Sequence, residues 1–237
     1  MTVRVKTLLL TVALSAAVLC SCNGNDTGES TTETTAVTDV KKGTSKTIKI
    51  VYFDYKENDL VKGGYVTVDE GYKTIGTSLI EADRDAAWQI LSEYINVKKY
   101  PEEYAKSLTA SIYSEYRNSY AAAGFSGSMK SYGITVDSCA EEAKSILADE
   151  MAVYAFVQSE NITYTDEEYS AKASEMAERY GYTDVKIFKA AVAENAIETE
   201  LYRDKVIEKI AEINKRIVAE TTAPTETEVP AETIAVQ

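Results

Sequence analysis

The chain has 237 residues, a formal net charge of −13 and no histidine, which removes Ser-His and Cys-His catalytic pairings, histidine-containing zinc sites and the usual general base near neutral pH. Its acidity repels nucleic acid and anionic headgroups, and three cysteines are too few for a disulfide scaffold or a cysteine-rich metal site. With only three prolines and long charged and apolar periodicities, the composition predicts a mainly α protein and points to no cofactor.

Arg4 and Lys6 precede an apolar run over 8–19, the basic n-region and short h-region of a secretory signal, too short to span a bilayer. Leu19-Cys20-Ser21-Cys22 then fits a lipoprotein signal. Such a signal has an aliphatic residue three before the modified cysteine and small residues between, because processing takes place in a confined membrane-embedded pocket. Cys22 is the expected lipid acceptor, and Cys20 leaves with the leader. The alternative is an ordinary cleaved signal with Cys22 an incidental thiol. Diacylglycerol on Cys22 supplies two buried acyl chains, the condition for stable anchoring at about 0.8 kcal/mol per buried CH₂, and places the chain on the extracytoplasmic face of the cell membrane. From Asn23 to about Lys46 the residues are Thr-, Ser-, Glu- and Asp-rich, a composition that cannot order itself and reads as a tether.

TIKIVYF (47–53) and GYVTVDEGYKTI (64–75) alternate and are β-branched and aromatic, so both are strand or extended candidates that must lean on helices. The helical part is expected from Asp83. RDAAWQILSEYI brings Ala87, Trp88, Leu91 and Ile95 onto one face, with Trp88 as a core anchor. Pro101 stands where the first turn of a helix tolerates it, followed by Glu102 and Glu103, and that helix is expected to run to Gly124. Its stripe is Tyr104, Leu108, Ile112, Tyr116 and Tyr120, with Tyr113 beside it. Two readings of the stripe stand: a plain packing face, or an amphipathic groove wall that accepts unfolded apolar segments.

After the turn GFSGSMKSYG, Thr135 is expected to cap a helix that becomes apolar nearly all round over 146–157, the centre of the core, with Cys139 a buried inert thiol. Thr165 to Glu168 reads as a capping box for the next helix, which Gly181 ends. A short helix follows Thr183. The last helix spans roughly 194–218 with Ile197, Leu201, Val206, Ile210, Ile213 and Ile217 on its buried side. The tail from Thr221 repeats the composition of the tether. The organisation expected is a signal over 1–21, lipidated Cys22 and a disordered tether over 22–46, an extended or β segment over 47–82, a helical domain over 83–218 and a disordered tail over 219–237.

In that order and spacing VKKYPEE (97–103), GITVDSCAEEAKSIL (133–147), ENITYTDEEYSAKASEMAERYGY (160–182) and LYRDKVIEKI (201–210) resemble the C-terminal, substrate-cradling domain of trigger factor and its lipoprotein relatives in Gram-positive bacteria. GGYVTVDEGYKTI (63–75) is similar to the segment that leads into those lipoproteins' folding domains. The resemblance implies an elongated helical-arm fold and an ATP-independent chaperone or holdase for unfolded exported polypeptides. Tyr104, Leu108, Ile112, Tyr113, Tyr116 and Tyr120 are then candidate peptide-binding residues, and the acidic exterior favours basic or unfolded clients. Two other readings stand: an adaptor lipoprotein with one dedicated partner, and a relative of peptidyl-prolyl isomerases. For the second, the chain between Ile75 and Trp88 has no room for an FKBP-type catalytic domain.

Overall fold

A computed structural model describes residues 48–193 and 195–222. The signal, Cys22, the tether and the tail from 223 lie outside the described residues. In chain order the elements are strand β1 (Val66–Val68), a 3-10 turn (Glu70–Thr74), helices α1 (Thr77–Ile80) and α2 (Arg84–Ser92), and strand β2 (Ile95–Val97). Helix α3 (Glu102–Ala122), a second 3-10 turn (Met129–Tyr132) and helices α4 (Val136–Glu160), α5 (Asp166–Arg179), α6 (Val185–Ala191) and α7 (Ala196–Thr222) follow. A mainly helical chain with a small antiparallel sheet at its N-terminal side is the architecture anticipated above.

Helix α4 is the axis. Cys139, Ala143, Ile146, Leu147 and every residue from Glu150 to Phe156 are buried, so over 150–156 no face is left for solvent, as a helix apolar all round requires. It packs against α3 on one side and α7 on another, and α7 in turn carries α1, α2 and α5. Trp88 of α2 is fully buried against Phe156 of α4 (ring centroids 6.4 Å apart) and gives its indole N–H to Asp149 Oδ1 at 2.6 Å. Burying a large apolar side chain is worth roughly 1.5–3 kcal/mol. The indole bond removes the penalty its polar edge would otherwise carry.

The caps follow the sequence closely. Asp83 accepts the amide of Ala86 at the start of α2. Thr165 and Glu168 exchange both bonds of a capping box at 3.2 and 2.7 Å. Thr135 makes the same reciprocal arrangement with Ser138, whose hydroxyl stands in for the usual carboxylate. Helix α6, the short helix after Thr183, is capped by Asp184, whose side chain accepts the amide of Lys186.

One open reading is decided and two expectations change. Among the described residues the 48–53 segment, read as strand or extended, pairs with no strand; β1 pairs with β2, in the register Val66↔Val97, Thr67↔Asn96 and Val68↔Ile95. Ile95 therefore belongs to a strand, although its spacing continues the α2 stripe. Helix α2 stops at Ser92, and the Asp69 amide takes the Tyr94 carbonyl at 2.8 Å. On α7, Ile213 and Ile217 are only half-buried, and Asn214 takes the buried position between them. Its amide is fully used: Nδ2 donates to the carbonyls of Tyr72 and Ile210 at 3.0 Å, and Oδ1 accepts from Gly76 N–H at 2.8 Å.

Residues 50–82 share the main core rather than standing beside it: Tyr55, Leu60, Val66, Tyr72 and Leu79 are buried with α4 and α7. Gln158 of α4 secures that segment, accepting from Leu60 N–H and donating to the carbonyls of Tyr55 and Asn58. A second, smaller cluster of Ala173, Met176, Ala177, Phe188 and Ile197 joins α5, α6 and the start of α7.

Candidate functional site at the hairpin tip

Helices α3 and α4 form an antiparallel hairpin, and the tyrosine stripe of α3 divides along it. Its first half is core: Tyr104, Leu108 and Ile112 are buried. The covering groups come from distant parts of the chain. Tyr52 lays its ring 5.4 Å from that of Tyr104, and the Val51 amide docks on Ser107 Oγ at 2.9 Å. From α4, Glu150 Oε2 accepts the Tyr104 hydroxyl at 2.8 Å, while Asn195 Nδ2 donates to Glu150 Oε1. Those three residues cannot line an open groove. Tyr113, Tyr116 and Tyr120 remain half-exposed, and Tyr116 OH reaches Glu142 Oε2 of α4 at 3.2 Å.

The tip is built by the way α3 ends. Phe125 N–H bonds the Tyr120 carbonyl and Gly124 N–H bonds that of Ala121, at 3.0 and 3.1 Å, with Gly124 at φ 78°. This is a Schellman motif, whose usual companion is an apolar contact between the residue after the glycine and the last turn. Here that contact is aromatic: the Phe125 and Tyr120 rings lie 5.4 Å apart. Tyr132, from the second 3-10 turn, completes a triangle at 5.0 Å from Tyr120 and 5.8 Å from Phe125. Gly127, at φ 148°, leaves the space in which Tyr132 OH sits 3.4 Å from where a Cβ would stand.

The result is an open cleft of about 310 Å³ bounded by Tyr113, Arg117, Tyr120, Phe125, Met129 and Tyr132. A Schellman contact explains why Phe125 lies on Tyr120. It does not account for Phe125 remaining 57% exposed, an outward apolar surface of the kind that marks a binding site when several such groups adjoin. Phe125, Met129, Tyr132 and Arg117 were not singled out from sequence. The signal was present in GFSGSMKSYG, a turn of small residues that also carries two aromatics and a methionine.

The remaining ionisable clusters hold helices together. Arg203 of α7 is buried and pairs with Asp149 and Glu200 while lying 5.2 Å from the Trp88 ring. Asp204 takes Arg84 of α2 and Lys172 of α5. Burial drives the carboxyl of Glu150 up to about 8, and the hydroxyls of Tyr104 and Tyr55 upward as well. Cys139 is buried and its thiol is likewise pushed up, which removes thiolate character. Among the described residues no helix is long and apolar enough to cross a membrane.

The family model for the bacterial trigger factor protein (TF) C-terminus matches residues 77–212. That span runs from the first residue of α1 into the last turns of α7 and contains the whole tip. No curated protein and no solved structure matches the chain.

Proposed function

This chain belongs to the bacterial trigger factor C-terminal family, and from that premise we propose that it is a membrane-anchored, extracytoplasmic, ATP-independent holdase for unfolded exported polypeptides. Chaperone-like binding of polypeptide is the family-level function. The observation that carries the reading to a place on the molecule is the aromatic cleft at the hairpin tip, where Phe125 and Tyr132 are exposed beside Tyr113 and Tyr120. Clients bind there by apolar and aromatic contact, and the acidic body keeps the loaded complex soluble. The leader and Cys22 supply the location: two acyl chains on Cys22 hold the chain at the outer face of the membrane.

The test is suppression of aggregation of a chemically denatured client by the full chain, beside the double variant Phe125→Ser with Tyr132→Ser. Both residues are exposed, so the variant keeps its core. Protection by the parent and its loss in the variant is the expected result. An unprotective parent ends the reading, and capture of a single stoichiometric partner in a crosslinked pull-down replaces it with the adaptor. For the anchor, radiolabelled palmitate is expected to enter the parent and not Cys22→Ala; equal labelling of both removes Cys22 from the account.

A further inference from the structure

Resting on that reading, we propose that the tip cleft selects apolar client segments flanked by carboxylates, with Arg117 as the residue that reads the negative charge. The molecule as a whole is acidic, which by itself would favour basic clients. The tip is its local exception. From Tyr116 to Val136 the chain carries Arg117 and Lys130 and not one aspartate or glutamate, within a chain of net charge −13.

The pairing of the arginines sharpens this. Among the described residues Arg84, Arg179, Arg203 and Arg216 each hold a carboxylate. Arg117 holds none, yet it is half-buried and forms a wall of the cleft. The nearest acidic residue along α3, Glu115, is also half-buried and has its carboxyl raised to about 7 by burial alone, with no lowering from Arg117. Glu142, across on α4, is engaged by Tyr116 OH. A guanidinium set among Tyr113, Tyr120 and Met129 presents its planar fork to a ligand carboxylate, while the rings take the neighbouring apolar side chain. Repulsion from the acidic body is screened beyond about 8 Å at physiological salt, so the local cations decide the preference once a segment has docked.

Three fluorescent eight-residue peptides that share the centre Leu-Phe-Leu-Leu, flanked on each side by two aspartates, two serines or two lysines, test this on the full chain by anisotropy. The aspartate peptide should bind about tenfold tighter than the lysine peptide, the size of effect one charge-assisted contact gives. Arg117→Gln should bring the three within about twofold, while Arg117→Lys should keep the order, since a point cation retains the attraction but not the bidentate geometry.

Binding of all three peptides with no preference, or with the lysine peptide ahead, overturns the proposal and leaves the holdase reading intact. No binding of any peptide sinks both. A preference that survives in Arg117→Gln removes Arg117 from the role. If Arg117→Gln and Phe125→Ser instead weaken attachment to phosphatidylglycerol vesicles and leave peptide binding unchanged, the tip is a lipid contact and the proposal falls.

Discussion

Glu150 is buried in the middle of α4 and is approached by Tyr104 OH at 2.8 Å and by the Asn195 amide. Burial raises its carboxyl to about 8; the two hydrogen bonds oppose the rise, and the charges of Asp149 and Glu198 add to it. The ordinary glutamate value is about 4.3, so between these limits the folded chain holds a proton that the unfolded chain has released. Stability from this group is complete below about pH 4.3 and is lost as pH rises through about 8, a fall of roughly a few kcal/mol. Glu150→Gln keeps the shape and an acceptor for Asn195 without the charge. Denaturant midpoints of the parent and variant should therefore converge near pH 5 and separate by pH 8.5, the variant being the more stable. Equal pH slopes in the two proteins would show that Glu150 titrates normally. The same residue explains why Tyr104 was ambiguous in sequence: a tyrosine at helical spacing reads alike whether its hydroxyl meets water or a buried carboxyl from α4.

At the scale of elements, α7 is fastened by charges of very unequal surroundings. Arg203 is buried, and its two carboxylates, Asp149 on α4 and Glu200 on its own helix, are mostly covered. Lys205 joins α7 to Glu168 of α5 in a more open position. Removing one partner of a buried pair costs about 3–5 kcal/mol because the other charge is left uncompensated, whereas an exposed pair contributes about 0–1 kcal/mol. Arg203→Ala should thus lower the unfolding free energy by several times more than Lys205→Ala in the same denaturant titration; comparable losses would mean that solvent reaches Arg203. The local devices of these helices were legible: Asp83, Thr165 with Glu168, Gly124 and Gly181 each announce an end through side-chain or backbone chemistry within a few residues. What escaped was set from afar. Ile95 continues the α2 spacing but is claimed by β1, Asn214 is buried because Tyr72 and Gly76 need its amide, and Leu108 and Ile112 look like the rest of the stripe until α4 and the 48–53 segment cover them. Of the candidate site, the stripe supplies Tyr113 and Tyr120 as one wall, while the cleft itself needs Tyr132 brought back against Tyr120 by a turn whose path no periodicity encodes.

For the whole molecule, the two apolar clusters differ in size and in what joins them. The main cluster takes in the extended N-terminal segment, the sheet, α2, α3, α4 and the middle of α7. The smaller one holds α5 and α6 around Phe188, whose ring meets Tyr182 at 5.4 Å and stacks on Tyr180 at 6.2 Å. Between them, α5 is tied to α7 by a buried link from Lys172 to Asp204 and a more open one from Lys205 to Glu168, and the buried apolar side chains of the two clusters are not continuous with each other. The smaller cluster is therefore expected to open as its own unit, below the free energy of global unfolding. Phe188→Ala removes its largest buried side chain, at a cost of about 3–5 kcal/mol, and nearly all of that cost should be felt locally. Native-state hydrogen exchange should show amides of α5 and α6 exchanging much faster in the variant, while those from Met151 to Phe156 keep their protection. Acceleration of equal size in α4 would mean that the two clusters unfold together. A separately opening α5–α6 unit would leave the α3–α4 hairpin and its tip cleft ordered, because α3 and α4 belong to the main cluster.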